Sequence, residues 1–142
     1  MTRVYVDMVA DLFHPGHVEF LRKAKSLGDA LVVGIHTDDA VESYKRRPLM
    51  TMTERMAVVA GCRYVDEVVA NAPLAVNQDW LKTHRIDLVV HGDDFDDHTA
   101  AKYYAVAMEM GIYRTVPYTP GVSTTELLVR LRQRIEEEAA SS

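Results

Sequence analysis

Two histidines three residues apart enclose a proline and a glycine in His14-Pro15-Gly16-His17. Pro15 suits the first position of a helix, and Gly16 lets a ligand approach the backbone closely. The three-residue spacing brings both imidazoles to one side of a turn. A helix N-terminus already attracts phosphate through its free N–H groups and its dipole. Two imidazoles placed there add donors for a phosphate whose charge grows during a reaction. The same four residues also fit a plain surface turn. They equally fit half of a zinc site, which His36 and His91 would complete to the three or four ligands that zinc takes.

Three further segments offer related chemistry. Gly121-Val122-Ser123-Thr124-Thr125-Glu126 carries a glycine, three hydroxyls and the S-x-x-E spacing of a capping box. It reads as a helix start and, compatibly, as a second phosphate cradle, so one nucleoside triphosphate held between two helix N-termini would account for both segments. Lys45-Arg46-Arg47, with Arg55 beyond it, is either a solvated basic loop or a cover for a phosphorylated ligand that excludes water as it closes. His91-Gly92-Asp93-Asp94 is a favoured turn composition. Its glycine would let a base or ribose lie against the backbone, and its aspartates would accept from a base amino group or hold Mg²⁺ through water.

The elements that must position these segments alternate. Apolar runs at Val4–Val6, Ala30–Ile35, Val65–Val69, Leu88–Val90 and Tyr113–Val116 predict strands buried on both faces. Helical spacing predicts helices from Val18 to Leu27 (ended by Gly28), from Thr53 to Ala60, from Asp79 to His84, from Thr99 to Met110 and from Ser123 to about Glu138. A short helix is expected after the second strand. The last helix has Leu127, Leu128, Leu131 and Ile135 as its apolar stripe. This alternation predicts an α/β fold, a doubly wound parallel sheet of Rossmann-like type in one domain. Ligands of such sheets bind beyond the carboxyl ends of the strands, where all four segments fall. We expect the domain to occupy residues 1–135, with 136–142 as a tail or linker, the edge of a longer protein.

The bulk properties agree with a single soluble domain. The chain has 142 residues, 48% hydrophobic and 26% charged, enough for one core. A net charge of -5 argues against a polynucleotide partner. Cys62 is the single cysteine, set among apolar residues, and reads as structural. Neither a signal peptide nor an apolar run of about 20 residues is present. We therefore expect a cytoplasmic protein with no membrane association.

Taken together, the four segments resemble the cytidylyltransferase family that makes CDP-choline, CDP-ethanolamine and CDP-glycerol. The family motif H-x-G-H matches His14–His17. The signature R-T-x-G-x-S-T matches Thr119-Pro120-Gly121-Val122-Ser123-Thr124 except for its first residue, and Arg63-Tyr64-Val65-Asp66-Glu67-Val68 matches R-Y-V-D-E-V. Asn71-Ala72-Pro73 and His84-Arg85-Ile86-Asp87 are similar to family segments too, so the resemblance runs from about Arg3 to Leu131. It implies transfer of CMP from CTP to a small phosphate or phosphonate alcohol, with release of pyrophosphate by in-line attack on the α-phosphorus and Mg²⁺ accompanying CTP. It implies that His14 and His17 stabilise the α-phosphate and that Lys45 bridges acceptor and nucleotide phosphates. Thr119, Gly121, Ser123 and Thr124 would hold the β- and γ-phosphates. Val9, Ala10, Gly16, Arg63, His91, Gly92 and Asp94 would contact the nucleotide, and Asp7, Ala10, Lys45 and Arg55 the acceptor. It also implies a homodimer through Arg63 to Val69.

Several positions depart from the family pattern. Tyr118 stands where relatives carry arginine, and a phenol cannot supply a charged fork to phosphate; Lys45, Arg46, Arg47 and Arg55 are the candidates to compensate. Met8, Val9 and Ala10 replace a glycine, a small residue and an aromatic, and the lost aromatic at Ala10 opens space. Leu74 replaces an aromatic that would face a quaternary ammonium, which disfavours choline phosphate. These departures resemble the cytidylyltransferase domains of bifunctional fosfomycin-biosynthesis enzymes. That resemblance implies 2-hydroxyethylphosphonate as the acceptor and a fused phosphoenolpyruvate mutase domain; ethanolamine phosphate and glycerol 3-phosphate are the alternatives. Three other classes stay open: an adenylyltransferase, a non-catalytic nucleotide sensor, and a metal hydrolase using His14, His17 and Asp94.

Overall fold

In a computed structural model of the protein, which describes residues 1–141, the strands and helices alternate along the chain as β1 (Arg3–Met8), α1 (Pro15–Lys25), β2 (Ala30–Ile35), α2 (Asp38–Glu42), α3 (Met52–Ala60), β3 (Glu67–Val69), α4 (Gln78–Thr83), β4 (Leu88–Gly92), α5 (Asp97–Glu109), β5 (Tyr113–Val116) and α6 (Thr124–Ser141). The five strands form one sheet in the order β3-β2-β1-β4-β5, and every pairing is parallel. The order runs outward in opposite directions from β1. The switch point therefore lies between β1 and β4, and the crevice for a ligand opens beyond their carboxyl ends.

The strands are apolar throughout because both faces are covered. Val4, Val6, Leu31, Val33 and Ile35 pack with Leu21 and Ala24 of α1 and Val59 of α3 on one face. Tyr5, Val32 and Val89 pack with Leu81, Tyr104 and Ala107 on the other. Side chains of successive strand residues point to opposite faces, so a single run such as Leu31-Val32-Val33 feeds both layers.

Several element boundaries move from their expected places: β3 loses Val65 and Asp66, α5 starts two residues early, and α1 and α6 change most. Helix α1 starts at Pro15 and is over by Lys25, leaving Leu27 exposed. Gly28 is needed for clearance rather than to stop the helix: a Cβ there would lie 2.6 Å from Val4 Cγ2 and 2.8 Å from the Thr2 carbonyl. Helix α6 continues past residue 135 to Ser141 with no break. None of its residues is buried, and Leu131 and Ile135 of the expected apolar stripe are exposed.

Candidate active site

A cavity of about 460 Å³ opens at the carboxyl ends of β1, β2 and β4. The loop after β1 reaches it first. Ala10 and Leu12 both adopt left-handed backbone conformations, with φ of 60° and 48°, and the sharp path aims the chain at His14. Ala10 lines the cavity yet is 2% exposed and packed in the core, so it leaves little open surface.

The two histidines then cap α1 with their rings. His14 Nδ1 accepts from the Gly16 N–H at 3.0 Å, and His17 Nδ1 accepts from the His14 N–H at 3.0 Å. This reciprocal arrangement is a capping box built from imidazoles, in which each ring satisfies a backbone donor at the helix start. Its chemical consequence is a fixed tautomer. With both Nδ1 atoms accepting, each neutral ring carries its hydrogen on Nε2 and can donate outward. Burial, then His14 and Lys45, hold the His17 ring down at about 4, against the opposing pull of Asp11, and burial lowers His14 as well. The pair is therefore a set of neutral donors at neutral pH. The rings lie 3.9 Å apart between centroids, and Phe13 stacks on His17 at 5.2 Å. Gly16 is required by space: a Cβ there would meet His14 Cε1 at 2.8 Å and the Val122 carbonyl at 3.1 Å.

Asp11 ties the surrounding loops together. Its carboxylate accepts the N–H groups of Leu49 and Met50, and its carbonyl accepts the Thr124 hydroxyl at 3.0 Å. The segment after β5 is thereby held against the loop after β1. Gly121 turns this segment with a φ of 117°. Ser123 then caps α6, its Oγ accepting the Glu126 N–H at 3.0 Å. Only this half of the expected capping box forms, since Glu126 pairs with Arg130. Thr119, Ser123 and Thr124 all line the cavity, as does Tyr118, whose N–H is held by Asp93 Oδ1 at 2.8 Å.

The cavity floor is polar and closed. Asp7 Oδ1 accepts the Tyr104 hydroxyl at 2.6 Å, and Asp7 Oδ2 lies 3.5 Å from His36 Nε2, whose Nδ1 donates to the Ala72 carbonyl. Burial pushes the Asp7 carboxyl up, while His36, Tyr104 and His91 pull the other way. His91 stacks on Phe95 with centroids 4.1 Å apart and tilts against Tyr104 at 5.3 Å. Beyond it, a Cβ on Gly92 would lie 2.6 Å from Asp94 Oδ1, so the carboxylate sits where any other residue's side chain would begin.

The basic segment divides into parts with different work. Lys45 lines the cavity beside the Tyr44 ring, 5.5 Å from its centroid, and desolvation with the neighbouring Arg46 lowers its ammonium. Arg46 also lines the cavity and reaches Thr125 Oγ1 at 3.4 Å across it. Arg47 is paired with Asp38, Asp39 and Glu42. Arg55, expected to contact the acceptor, does not line the cavity. It is fully buried, donating to the carbonyls of Met50, Val9 and His36 and pairing with Asp38 at 2.6 Å. Arg63 also stays out of this chain's cavity; it is bonded to the Tyr64 hydroxyl at 2.8 Å. Among the described residues no three of His, Cys, Asp and Glu gather as a metal cluster, so His14, His17, His36 and His91 do not assemble one.

Residues 8–130 match the cytidylyltransferase-like family model. The chain belongs to that family. It is 42% identical to the ethanolamine-phosphate cytidylyltransferase of Dictyostelium discoideum, covering 96% of this chain and 39% of the relative. The Arabidopsis thaliana protein of the same name is also 42% identical, with 90% and 32% covered. Human choline-phosphate cytidylyltransferase A is 38% identical, with 91% and 36% covered. The chain thus spans roughly a third to two fifths of the length of these relatives. Among solved structures, a lipopolysaccharide core biosynthesis protein from Thermoplasma volcanium superposes with a TM-score of 0.68 at 25% identity, over 86% of this chain and 99% of that one. Pantothenate synthetase from Thermus thermophilus shares the fold, with a TM-score of 0.60 at 13% identity over 85% and 57%.

Proposed function

We propose that this domain transfers CMP from CTP to a small phosphate or phosphonate alcohol. An anionic oxygen of the acceptor attacks the α-phosphorus, the bond to the β-phosphate oxygen breaks, and pyrophosphate leaves. The nucleophile is already charged, so no general base is required, and catalysis is positioning and charge stabilisation. The observation that carries this reading is the pair of capped imidazoles. Their Nδ1 atoms are committed to the backbone, which leaves two outward Nε2–H donors at a helix N-terminus. Lys45 and Arg46, facing the same cavity, would neutralise the phosphates, and the Ser123 hydroxyl, which accepts from Glu126 and keeps its own hydrogen, would donate to them. Mg²⁺ would enter as the nucleotide's own counter-ion, held by phosphate oxygens.

Ethanolamine phosphate is the acceptor best supported. The relatives at 42% identity carry that name, and the Asp7 carboxyl on the cavity floor is a partner for an ammonium. 2-Hydroxyethylphosphonate is the second reading, favoured by Leu74, which lines the cavity where an aromatic would serve a cation. A fused mutase domain belongs to that reading alone. We further infer a homodimer through Arg63 to Val69, since β3 is a three-residue edge strand whose free side is unpaired among the described residues. Sedimentation of wild type and a Val68→Lys variant would test it, with a monomer for both as the contrary result.

Pyrophosphate release with CTP and Mg²⁺ tests the acceptor. Turnover with ethanolamine phosphate exceeding that with 2-hydroxyethylphosphonate, phosphocholine and glycerol 3-phosphate is expected. Turnover confined to the phosphonate would reverse the order of the two readings. CTP binding without turnover on any of them would favour a sensor, and faster turnover with ATP an adenylyltransferase.

A further inference from the structure

The arginine that opens the family's second signature is missing here, and the candidates for its replacement do not all survive. Arg47 is engaged by three carboxylates, and Arg55 is buried in the scaffold. A residue outside the basic segment stands at the right place. Lys23 lies on α1 on the face shared by Gly16 and Phe20, both of which line the cavity. Its Nζ donates to Thr119 Oγ1 at 2.8 Å and to the Pro117 carbonyl at 3.0 Å, one residue either side of Tyr118. Pro117, Tyr118 and Thr119 all line the cavity.

Three features separate this ammonium from an ordinary surface lysine. It makes no ion pair among the described residues; Glu19, one turn back on α1, feels its charge without contacting it. It is fixed by two neutral oxygens more than ninety residues away in sequence. An ammonium has three protons, so one remains for a further acceptor. Tyr118, half exposed, supplies no charge of its own.

We propose that Lys23 binds the distal phosphates of the nucleotide, carrying from helix α1 the charge that relatives carry at the position of Tyr118. This rests on the reading of the cavity as a CTP site. Its role differs from that of His14 and His17, which face the α-phosphate: Lys23 discriminates between a nucleoside triphosphate and the monophosphate.

The test compares CTP and CMP binding by calorimetry in wild type, Lys23→Gln, Tyr118→Arg and the double variant, with cytidylyl transfer measured in parallel. Lys23→Gln should weaken CTP binding roughly tenfold, the worth of a charge-assisted hydrogen bond, and change CMP binding less than about twofold. Restoring the arginine in the Lys23→Gln background should recover most of the loss. Equal weakening of CTP and CMP, or no weakening of either, would overturn the proposal. So would failure of Tyr118→Arg to restore binding while a fallen thermal midpoint recovers with Lys23→Arg, which would reduce Lys23 to a loop tether. The outcome is separable from the parent reading. A wild type that binds CTP but transfers nothing refutes transfer, while the binding comparison still decides Lys23. A wild type that transfers but does not prefer CTP to CMP refutes the Lys23 role alone.

Discussion

Replacing Arg55 by alanine should remove much of the protein's stability margin and leave acceptor recognition almost untouched. The guanidinium donates at 2.8 Å to the Val9 carbonyl, at 2.9 Å to the His36 carbonyl and at 3.3 Å to the Met50 carbonyl, and pairs with Asp38 at 2.6 Å. The side chain is wholly buried and Asp38 is partly so. Truncation would strand two or more buried carbonyls with no solvent to replace their donor and leave the partly exposed Asp38 carboxylate with Arg47 alone. Breaking a buried pair of this kind costs about 3–5 kcal/mol, against a total of about 5–15 kcal/mol for a typical domain. At about 2–4 °C per kcal/mol for a chain near this size, the melting midpoint should fall by roughly 10–15 °C. Val9 and His36 directly follow β1 and β2, so the loss would loosen the cavity rim without removing any ligand contact. Urea and thermal unfolding give the stability change, and steady-state kinetics at low temperature give the acceptor KM of the folded fraction. A midpoint within about 1 °C of wild type, together with an acceptor KM raised tenfold or more, would refute the structural assignment and return Arg55 to the binding site.

The capped histidines make three further predictions. In His17→Asn the amide oxygen can replace Nδ1 as the cap but offers no outward ring N–H, so kcat should fall about 10²–10³-fold while stability at pH 7 stays within about 0.5 kcal/mol; His17→Ala should lose about 1 kcal/mol as well, read by urea titration. Because burial holds the folded His17 ring at about 4, below its unfolded value of 6.5, its contribution to stability is present above pH 6.5 and disappears as pH falls through about 4. The stability difference between wild type and His17→Asn should therefore shift against wild type by up to about 3 kcal/mol over that window, measured by unfolding at matched pH. Gly16→Ala should cost about 1–3 kcal/mol and abolish most transfer, because the added methyl displaces the His14 ring and the Val122 backbone; activity near wild type would show that the two segments can separate without consequence.

Features set by local spacing are legible in the sequence. Strands β2 and β5 have the bounds their apolar runs predict, β1 and β4 extend theirs by three and two residues, and β3 lacks the first two of its five. The His17 ring accepts the His14 N–H because the two lie three positions apart, and Ser123 accepts from Glu126 for the same reason. What spacing cannot disclose is set by contacts across the chain. Arg55 looks like part of a basic run facing a phosphate, yet its partners are carbonyls 46 and 19 residues distant. Nothing in the local pattern marks Asp11, although it joins Leu49, Met50 and Thr124. Lys23 reads as the solvated face of α1, because nothing local announces a partner at Thr119. The stripe on α6 shows the converse: its helical periodicity is readable, but not whether anything covers it.

The central claim is that this cavity moves a cytidylyl group. Incubation with CTP labelled in the α-phosphate, Mg²⁺ and ethanolamine phosphate, followed by separation of the products, tests it most directly. The account predicts label in the CDP-linked alcohol with one pyrophosphate released per product, and both products formed about 10²–10³-fold more slowly in His17→Asn. Label appearing only as CMP, at a rate independent of any acceptor, would identify a hydrolase and contradict the account.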